Sequence, residues 1–407
     1  MPSVPSPGNQ TKPRILIISG VVPSISRGGG CLAMHRHFVE RADFEILVAG
    51  TELDSCSAAN IHEIRQSRVA KRLRRGVLQR ILFNLDFVLN WYVAPTELIA
   101  AAKSWKPDVV FTVPDNIHTG LAYQVAGAIG VPLVVNYQDL FPLSQFLPIG
   151  QRPFPAIAKW LMRRYRLLNH RADLVFYTSE GMRDWFGGAR NGHVLYPIGA
   201  QFPVSQESPV KTSSRAKVVY AGNCYGAYGR MLLRLADHLQ AHPSIEFSIY
   251  AAGNDWKSFD LERLQACGIY RGFIPFDKLK DVLLNADAFL TVMSFEALER
   301  SFVQTSFTTK WLDYAPCGKP VFVWGPSYSS AAVFACESRC GAVISEDDPT
   351  AVARAIEDAL ADPEATLSLS ESSIRVAKEK LSASSIHQIL VQLLNMLLSE
   401  SRNSEIA

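Results

Sequence analysis

A repeated rhythm constrains this chain more than any other feature. Short apolar runs rich in β-branched residues alternate with stretches that are apolar at helical spacing, once over residues 14–178 and again over 217–361. Arg14-Ile15-Leu16-Ile17-Ile18-Ser19 opens the first series. A run with no polar position at its centre belongs to a strand covered on both faces, as in a parallel sheet packed between helices. Further strands are expected at 44–49, 108–113, 131–136 and 173–178, with helices at 31–41, 96–104, 119–129 and 156–170. The second series predicts strands at 217–221, 245–251, 268–273, 288–293, 320–324 and 342–345, with helices at 231–242, 276–285, 309–315 and 350–361. Such alternation with short connections predicts an α/β fold of two doubly wound, Rossmann-like domains.

Between the two series, residues 196–216 carry Pro197, Pro203 and Pro209 among serines, without a periodic apolar pattern. They read as a linker. The expected division is a loose arm over 1–13, a first domain over 14–200, a linker over 201–215, a second domain over 216–380 and a terminal helical segment over 381–407. Ligands of open α/β sheets bind beyond the carboxyl ends of the strands, so two such domains facing each other are expected to enclose an interdomain cleft.

Composition narrows the classes further. Of 407 residues, 48% are apolar and 19% charged, which suits two large cores and not a disordered chain. Lys plus Arg number 41 against 38 Asp plus Glu, and a formal charge of +3 argues against a nucleic-acid binder. Seven cysteines without a repeated Cys-x-x-Cys unit fit neither a disulfide scaffold nor a zinc ribbon, so a reducing, cytoplasmic setting is expected. The first 13 residues hold Pro2, Pro5, Pro7 and Pro13 and no apolar core of a signal peptide. No run of 18 uninterrupted apolar residues occurs, so a membrane span is not expected.

Membrane contact from one side is another matter. Arg65 to Arg80 holds seven basic residues and no acid, with Val69, Leu73, Val77 and Ile81 on one stripe. Phe83, Phe87, Trp91 and Tyr92 extend the apolar character, and residues 65–92 are a candidate for peripheral contact with an anionic inner membrane face. The alternative is a core-packed helix with a solvated basic side.

Two glycine-rich loops follow strands. Gly28-Gly29-Gly30 precedes the first helix, and Gly222-Asn223 with Gly226 and Gly229-Arg230 opens the second domain. Glycine permits close backbone approach, and a helix N-terminus offers N–H groups to phosphate. Neither loop has the G-x-G-x-x-G spacing, which weakens a NAD reading in which Glu52 or Asp54 would hold a ribose. His118 stands in Pro114-Asp115-Asn116-Ile117-His118, at a carboxyl-end loop, either as a sugar contact or within a capping segment. His35 and His37 fall on different helix faces, and Cys336 and Cys340 have no nearby histidine, so no metal site is expected.

A chain of short motifs then decides the reading. The order is the Gly222-Asn223 loop, RGFIP at 271–275, ADAFL at 286–290, TKWLDYAPCGKPV at 309–321, CGAVI at 340–344 and DPTAVARAIEDAL at 348–360. This order resembles the retaining GT-B glycosyltransferases of the family-4 type, many of which build bacterial surface polysaccharides. The first half resembles them more loosely, through its opening strand and loop, Pro107-Asp108-Val109-Val110 and Gln138-Asp139-Leu140-Phe141-Pro142. The resemblance implies a sugar transferred from a UDP- or GDP-type donor to a glycan or lipid-linked acceptor, with no cofactor and no metal. The absence of any Asp-x-Asp fits the metal-free expectation.

The resemblance also assigns residues. Asp313 would grip the ribose, one methylene shorter than the usual Glu. Lys310, Arg230 and the backbone N–H groups of Ser306, Thr308, Thr309 and the Gly28–Gly30 loop would hold the diphosphate. Gln138, Asp139 and His118 would line the acceptor side, and the terminal helix would pack back on the first domain. Three places depart from the usual pattern: Thr305 stands where many members have an acid, Asn223 where they have Arg, and Gln138 where they have His. A nucleotide-sugar epimerase and a non-catalytic binder on the same fold are the alternatives.

Overall fold

The computed structural model describes residues 12–27, 29–64, 77–144, 147–199 and 215–406. The chain divides into two compact units, Met1–Pro197 with His387–Ala407, and Ile198–Ile386. All but the last two residues of the expected arm lie outside the described residues, as does the expected linker apart from Arg215.

In the first unit, strands β1 (Arg14–Ile18), β2 (Glu45–Gly50), β3 (Ile61–Glu63), β4 (Val109–Thr112), β5 (Leu133–Tyr137), β6 (Leu174–Tyr177) and β7 (Gly192–Val194) form one parallel sheet in the order β3-β2-β1-β4-β5-β6-β7. In the second, β8 (Ala216–Ala221), β9 (Ile245–Tyr250), β10 (Tyr270–Gly272), β11 (Ala288–Val292), β12 (Val321–Trp324) and β13 (Ala342–Ile344) form another, in the order β10-β9-β8-β11-β12-β13. The strand order reverses between β1 and β4 and between β8 and β11. The uniformly apolar runs fill the sheet centres, and β1, β4, β5 and β11 are buried along almost their whole length. The sequence pattern missed β3 and β7. Each is a three-residue edge strand, partly exposed, so no apolar run marks it.

The helices used below are α1 (Gly30–His35), which continues as a π-turn over Arg36–Glu40, α2 (Val77–Leu89), α3 (His118–Ile129), α4 (Pro155–Arg171), α5 (Gly226–Leu239), α6 (Lys310–Tyr314) and α7 (Ala383–Ile406). The expected basic helix over 65–80 falls largely outside the described residues, and α2 begins at Val77. One expectation there is corrected. Phe83, Phe87 and Trp91 do not extend an outer surface; they are buried in one core with Leu121, Val125, Leu161 and Tyr165. Burying rings of this size stabilises the unit by about 2–3 kcal/mol each, which fixes the face α2 turns inward.

Among the described residues, Pro363–Ser401 is apolar enough and long enough to cross a bilayer by length and composition. Its apolar side in α7 is a core stripe, since Ile386, Leu390, Leu394 and Leu398 are buried at four-residue spacing. From His387 onward the helix belongs to the first unit. His387 Nε2–H donates to Asp43 Oδ2 at 2.8 Å, which leaves its Nδ1 to accept from His37 Nδ1–H at 3.1 Å.

That arrangement requires both imidazoles to be neutral. Burial, then the neighbouring His387 and Arg41, push His37 down to about 3. Between that value and the ordinary 6.5 the unfolded chain binds the extra proton and the folded chain does not. Stability therefore falls as pH drops below about 6.5, by up to about 1.4 kcal/mol per pH unit. Thermal melting from pH 7 to 5 should show this slope, and His37→Asn, which keeps an N–H donor without the titration, should flatten it.

Candidate active site

Where a parallel sheet reverses its strand order, the loops on either side diverge and leave a crevice. In the first unit those loops follow β1 and β4. Asp115, after β4, is buried and gathers four donors: Gly20 N–H at 2.6 Å, Ile117 N–H at 2.7 Å, His118 N–H at 2.7 Å and the His118 ring at 2.9 Å. Burial raises its carboxyl, but the His118 charge and these hydrogen bonds outweigh it, and the net shift is downward. Asp115 thus accepts the first N–H of α3 and orients the His118 ring at once.

With Nδ1–H given to Asp115, the Nε2 of His118 faces away from it. His118 is 2% exposed, and Nε2 has no hydrogen-bond partner among the described residues. The Oδ1 of buried Asn116 is likewise unpartnered there. Both residues line a cavity of about 290 Å³ together with Gly20, Val21, Phe87 and Phe141. A buried acceptor without a donor costs about 1–3 kcal/mol, so two of them on one cavity wall mark a place for a ligand carrying hydroxyls.

The other expected residues of this unit are placed as follows. Gln138 and Asp139 follow β5 and are half-buried, but neither is among the lining of this cavity. Gly28 lies outside the described residues. Gly29 has φ +59° and open space at its Cβ position. Gly30 has none: a Cβ there would sit 2.0 Å from Gln138 Oε1. Only a glycine leaves room there for the Gln138 side chain.

In the second unit the reversal lies between the loops after β8 and β11. Lys310, at the start of α6, reaches back to the first loop. A Cβ on Gly222 would lie 2.5 Å from Lys310 Cε and 2.8 Å from its Nζ, and the ammonium sits 5.0 Å from the Tyr220 ring centre. Burial pulls Lys310 down to about 8, against Cys224 and Asp313, which both favour the charge. The loop itself is pinned by Tyr314, whose hydroxyl accepts the Ala221 N–H at 2.8 Å. Lys310, Gly222 and the Tyr220 ring are thereby brought together, with Asp313 one turn along α6.

The remaining expectations divide. The N–H groups of Thr308 and Thr309 donate to no backbone carbonyl among the described residues and are open to an anion. Ser306 departs from its expected role, because its N–H is spent on Phe302 O at 2.8 Å. Asn223 turns its side chain onto the Tyr225 N–H at 3.1 Å. Arg230 is paired with Glu296 in a pocket of about 420 Å³ that it shares with Arg234, Ser294, Phe295 and Asp347 but not with Lys310. Thr305 is buried and bonds its own helix through Ser301 O at 2.8 Å, so it does not stand in for the missing acid.

Two partners escaped sequence reasoning. Asp115 was expected no further than as part of a capping segment, though it stands three residues before His118. Asp255 takes the Gly226 N–H at the start of α5, at 2.9 Å, across 29 residues of sequence that carry no signal of it. It occupies that helix end with a carboxylate.

Residues 33–195 match the model of the glycosyl transferase 4-like domain. The chain carries a glycosyl transferase 4-like domain on the two-domain fold of the GT-B glycosyltransferases. Among solved structures, this transferase resembles HepE of Anabaena in complex with UDP-glucose, at 15% identity and a TM-score of 0.61, over 94% of this chain and 99% of that one. It also resembles sucrose-phosphate synthase of Thermosynechococcus elongatus, at 15% identity and a TM-score of 0.62, over 96% and 100% of the two chains. A glycosyltransferase of Rickettsia africae aligns with a TM-score of 0.62 at 10% identity, over 95% and 99%. These likenesses establish the fold. No curated protein matches the sequence.

The crowding at Gly222 yields a test. Gly222→Ala must displace the Lys310 side chain, and we expect a loss of about 1–3 kcal/mol in chemical denaturation together with weakened anion binding. Gly226→Ala, where no atom lies within 4 Å of the Cβ position, should leave anion binding unchanged even if its positive φ costs stability.

Proposed function

We propose that this transferase moves a sugar from a UDP-sugar to a hydroxyl of a glycan or lipid-linked acceptor, in surface-polysaccharide biosynthesis. Transfer would proceed with retention of anomeric configuration and without a metal ion. The observation that carries the donor reading is Lys310 held over Gly222, beside the open N–H groups of Thr308 and Thr309. A departing nucleoside diphosphate gains negative charge, and a desolvated ammonium with aimed N–H groups stabilises it without reorganising. These groups do what a divalent cation does in metal-dependent transferases. Asp313 lies one turn on, where its carboxylate can accept hydrogen bonds from ribose hydroxyls. The UDP-glucose bound by HepE supports the uridine class.

The acceptor side rests on the first unit. His118 Nε2, oriented by the Asp115 hydrogen bond at Nδ1, is placed to accept a hydroxyl proton or hydrogen bond in the cavity, with Asn116 Oδ1 as a second acceptor. Gln138 and Asp139 are assigned a supporting place beyond the cavity lining.

The first measurement is a thermal-shift panel of UDP, GDP, CMP and NADH without added metal. UDP should raise the melting temperature, and Lys310→Ala and Asp313→Ala should abolish the rise. A rise with NADH alone overturns the reading, and turnover of donor without acceptor makes the protein an epimerase. Once an acceptor is in hand, kcat/KM should fall above about pH 8, as Lys310 loses the proton that stabilises the diphosphate. His118→Ala should lower kcat by about a hundredfold and leave the UDP shift unchanged.

A further inference from the structure

The cavity beside His118 has a wall that its two bare hydrogen-bond acceptors do not explain. Val21, Phe83, Phe87, Ile117, Phe141 and Leu147 make most of it apolar, and no Lys or Arg is among its lining. Arg27, hydrogen-bonded to the Cys31 side chain, is not part of that lining either. At about 290 Å³ the cavity lies at the small end of ligand pockets, with room for a single sugar unit. A fitting ligand is small, brings a hydroxyl to His118 Nε2 and presents carbon to the rest.

One lining residue brings a charge that nothing balances. Glu52 follows β2 and is exposed, and no ion pair holds it among the described residues. Its neighbours on both sides are anchored, with Thr51 6% and Leu53 7% exposed. The Cys56 N–H donates to Leu53 O at 2.8 Å and closes the turn, and the Ser57 N–H donates to Pro23 O at 2.8 Å and ties the turn to the loop after β1. The backbone that carries Glu52 is thus held at the cavity mouth.

A carboxylate or phosphate entering here would meet the carboxylates of Asp115 and Glu52 and a mostly apolar wall. The start of α3 offers no substitute for a cation, because the Ile117 and His118 N–H groups are already given to Asp115. Asp115 also balances any charge on the His118 ring, 2.9 Å away. Taking an anion out of water without a partner is costly, and like charges nearby add to the cost. A neutral sugar meets neither penalty. Its hydroxyls can donate to His118 Nε2 and Asn116 Oδ1, and its C–H face can lie on the half-buried Phe141 ring.

We propose that this cavity takes a single uncharged sugar unit of the acceptor, and that Glu52 at its mouth excludes acidic sugars. This specificity rests on the acceptor reading of the cavity given above.

The test is a ligand-observed NMR titration of the full chain with the methyl glycosides of D-fucose, D-quinovose and D-rhamnose. Each is paired with its counterpart of the same ring stereochemistry, D-galacturonate, D-glucuronate or D-mannuronate, in which a carboxylate replaces the methyl group. At least one neutral glycoside should bind, and its uronate partner should bind about thirtyfold more weakly. Glu52→Lys should cut that ratio to about threefold, and about 0.5 M salt should narrow it in the unaltered protein. Phe141→Ser should weaken the neutral glycoside about tenfold, which places the sugar in the cavity, and thermal melting checks that both variants fold. A uronate that binds as tightly as its neutral partner overturns the proposal and leaves the acceptor reading standing. An unchanged ratio in Glu52→Lys overturns it too, as does neutral binding that Phe141→Ser leaves unchanged. Binding of no glycoside of either kind overturns the acceptor reading and the proposal together.

Discussion

At the point where a parallel sheet reverses its strand order, the two flanking helices pass to opposite faces, and nothing in the sheet itself fills the gap between the loops. The protein meets this constraint twice, and each time with a different buried charge. In the first unit an anion fills the gap: Asp115 draws the β1 loop, its own loop and the start of α3 onto one carboxylate. In the second unit a cation does: Lys310 folds back against Gly222 from a helix that follows β11. The fold needs these links, because loops at a reversal have no strand ladder to hold them.

The two charges are desolvated, yet the consequences run in opposite directions. Asp115 is surrounded by donors, which hold it ionised against burial, and its charge is consumed inside the unit. What reaches the cavity is the far nitrogen of His118. At Lys310 burial outweighs Cys224 and Asp313 and pulls it down to about 8. One unit therefore presents a bare acceptor and the other a cation that an arriving anion would stabilise. Acceptors suit sugar hydroxyls and cations suit a diphosphate, and the separation of the two on different units follows from which charge closes each reversal.

Much of this was legible in the sequence, for reasons that also explain the rest. Central strands such as β1, β4 and β11 are buried on both faces, so their apolar runs announce them, whereas β3 and β7 leave no run to read. Lys310 and Asp313 could be singled out together because they share one local motif. Gly30 meets a need the sequence does not show, since a glycine that admits a phosphate and one that admits Gln138 look alike there; only the distance to Oε1 reveals the second. Ser306 was misjudged because a helix ending at Thr305 claims its N–H, and helix ends are the least readable feature of a pattern. Asp255 was invisible because its contact with Gly226 spans a strand and a loop.

Helix α2 shows the limit of periodicity most sharply. It is apolar on two sides, Phe83 and Phe87 on one and Leu78, Ile81, Leu85 and Leu89 on the other. Apolar spacing alone does not say which of the two sides turns inward, and aromatic residues then pass for surface. What sorts the sides is size and neighbours. The rings fill a volume that leucines would leave partly empty, and Asn84 and Arg80 sit where the carbonyls and N–H of residues 152–154 need partners. Once those polar contacts are counted, the leucines have only the outside left. Their exposure is thus enforced by the satisfaction of backbone groups elsewhere, and the free energy of that exposed stripe is available to whatever surface covers it.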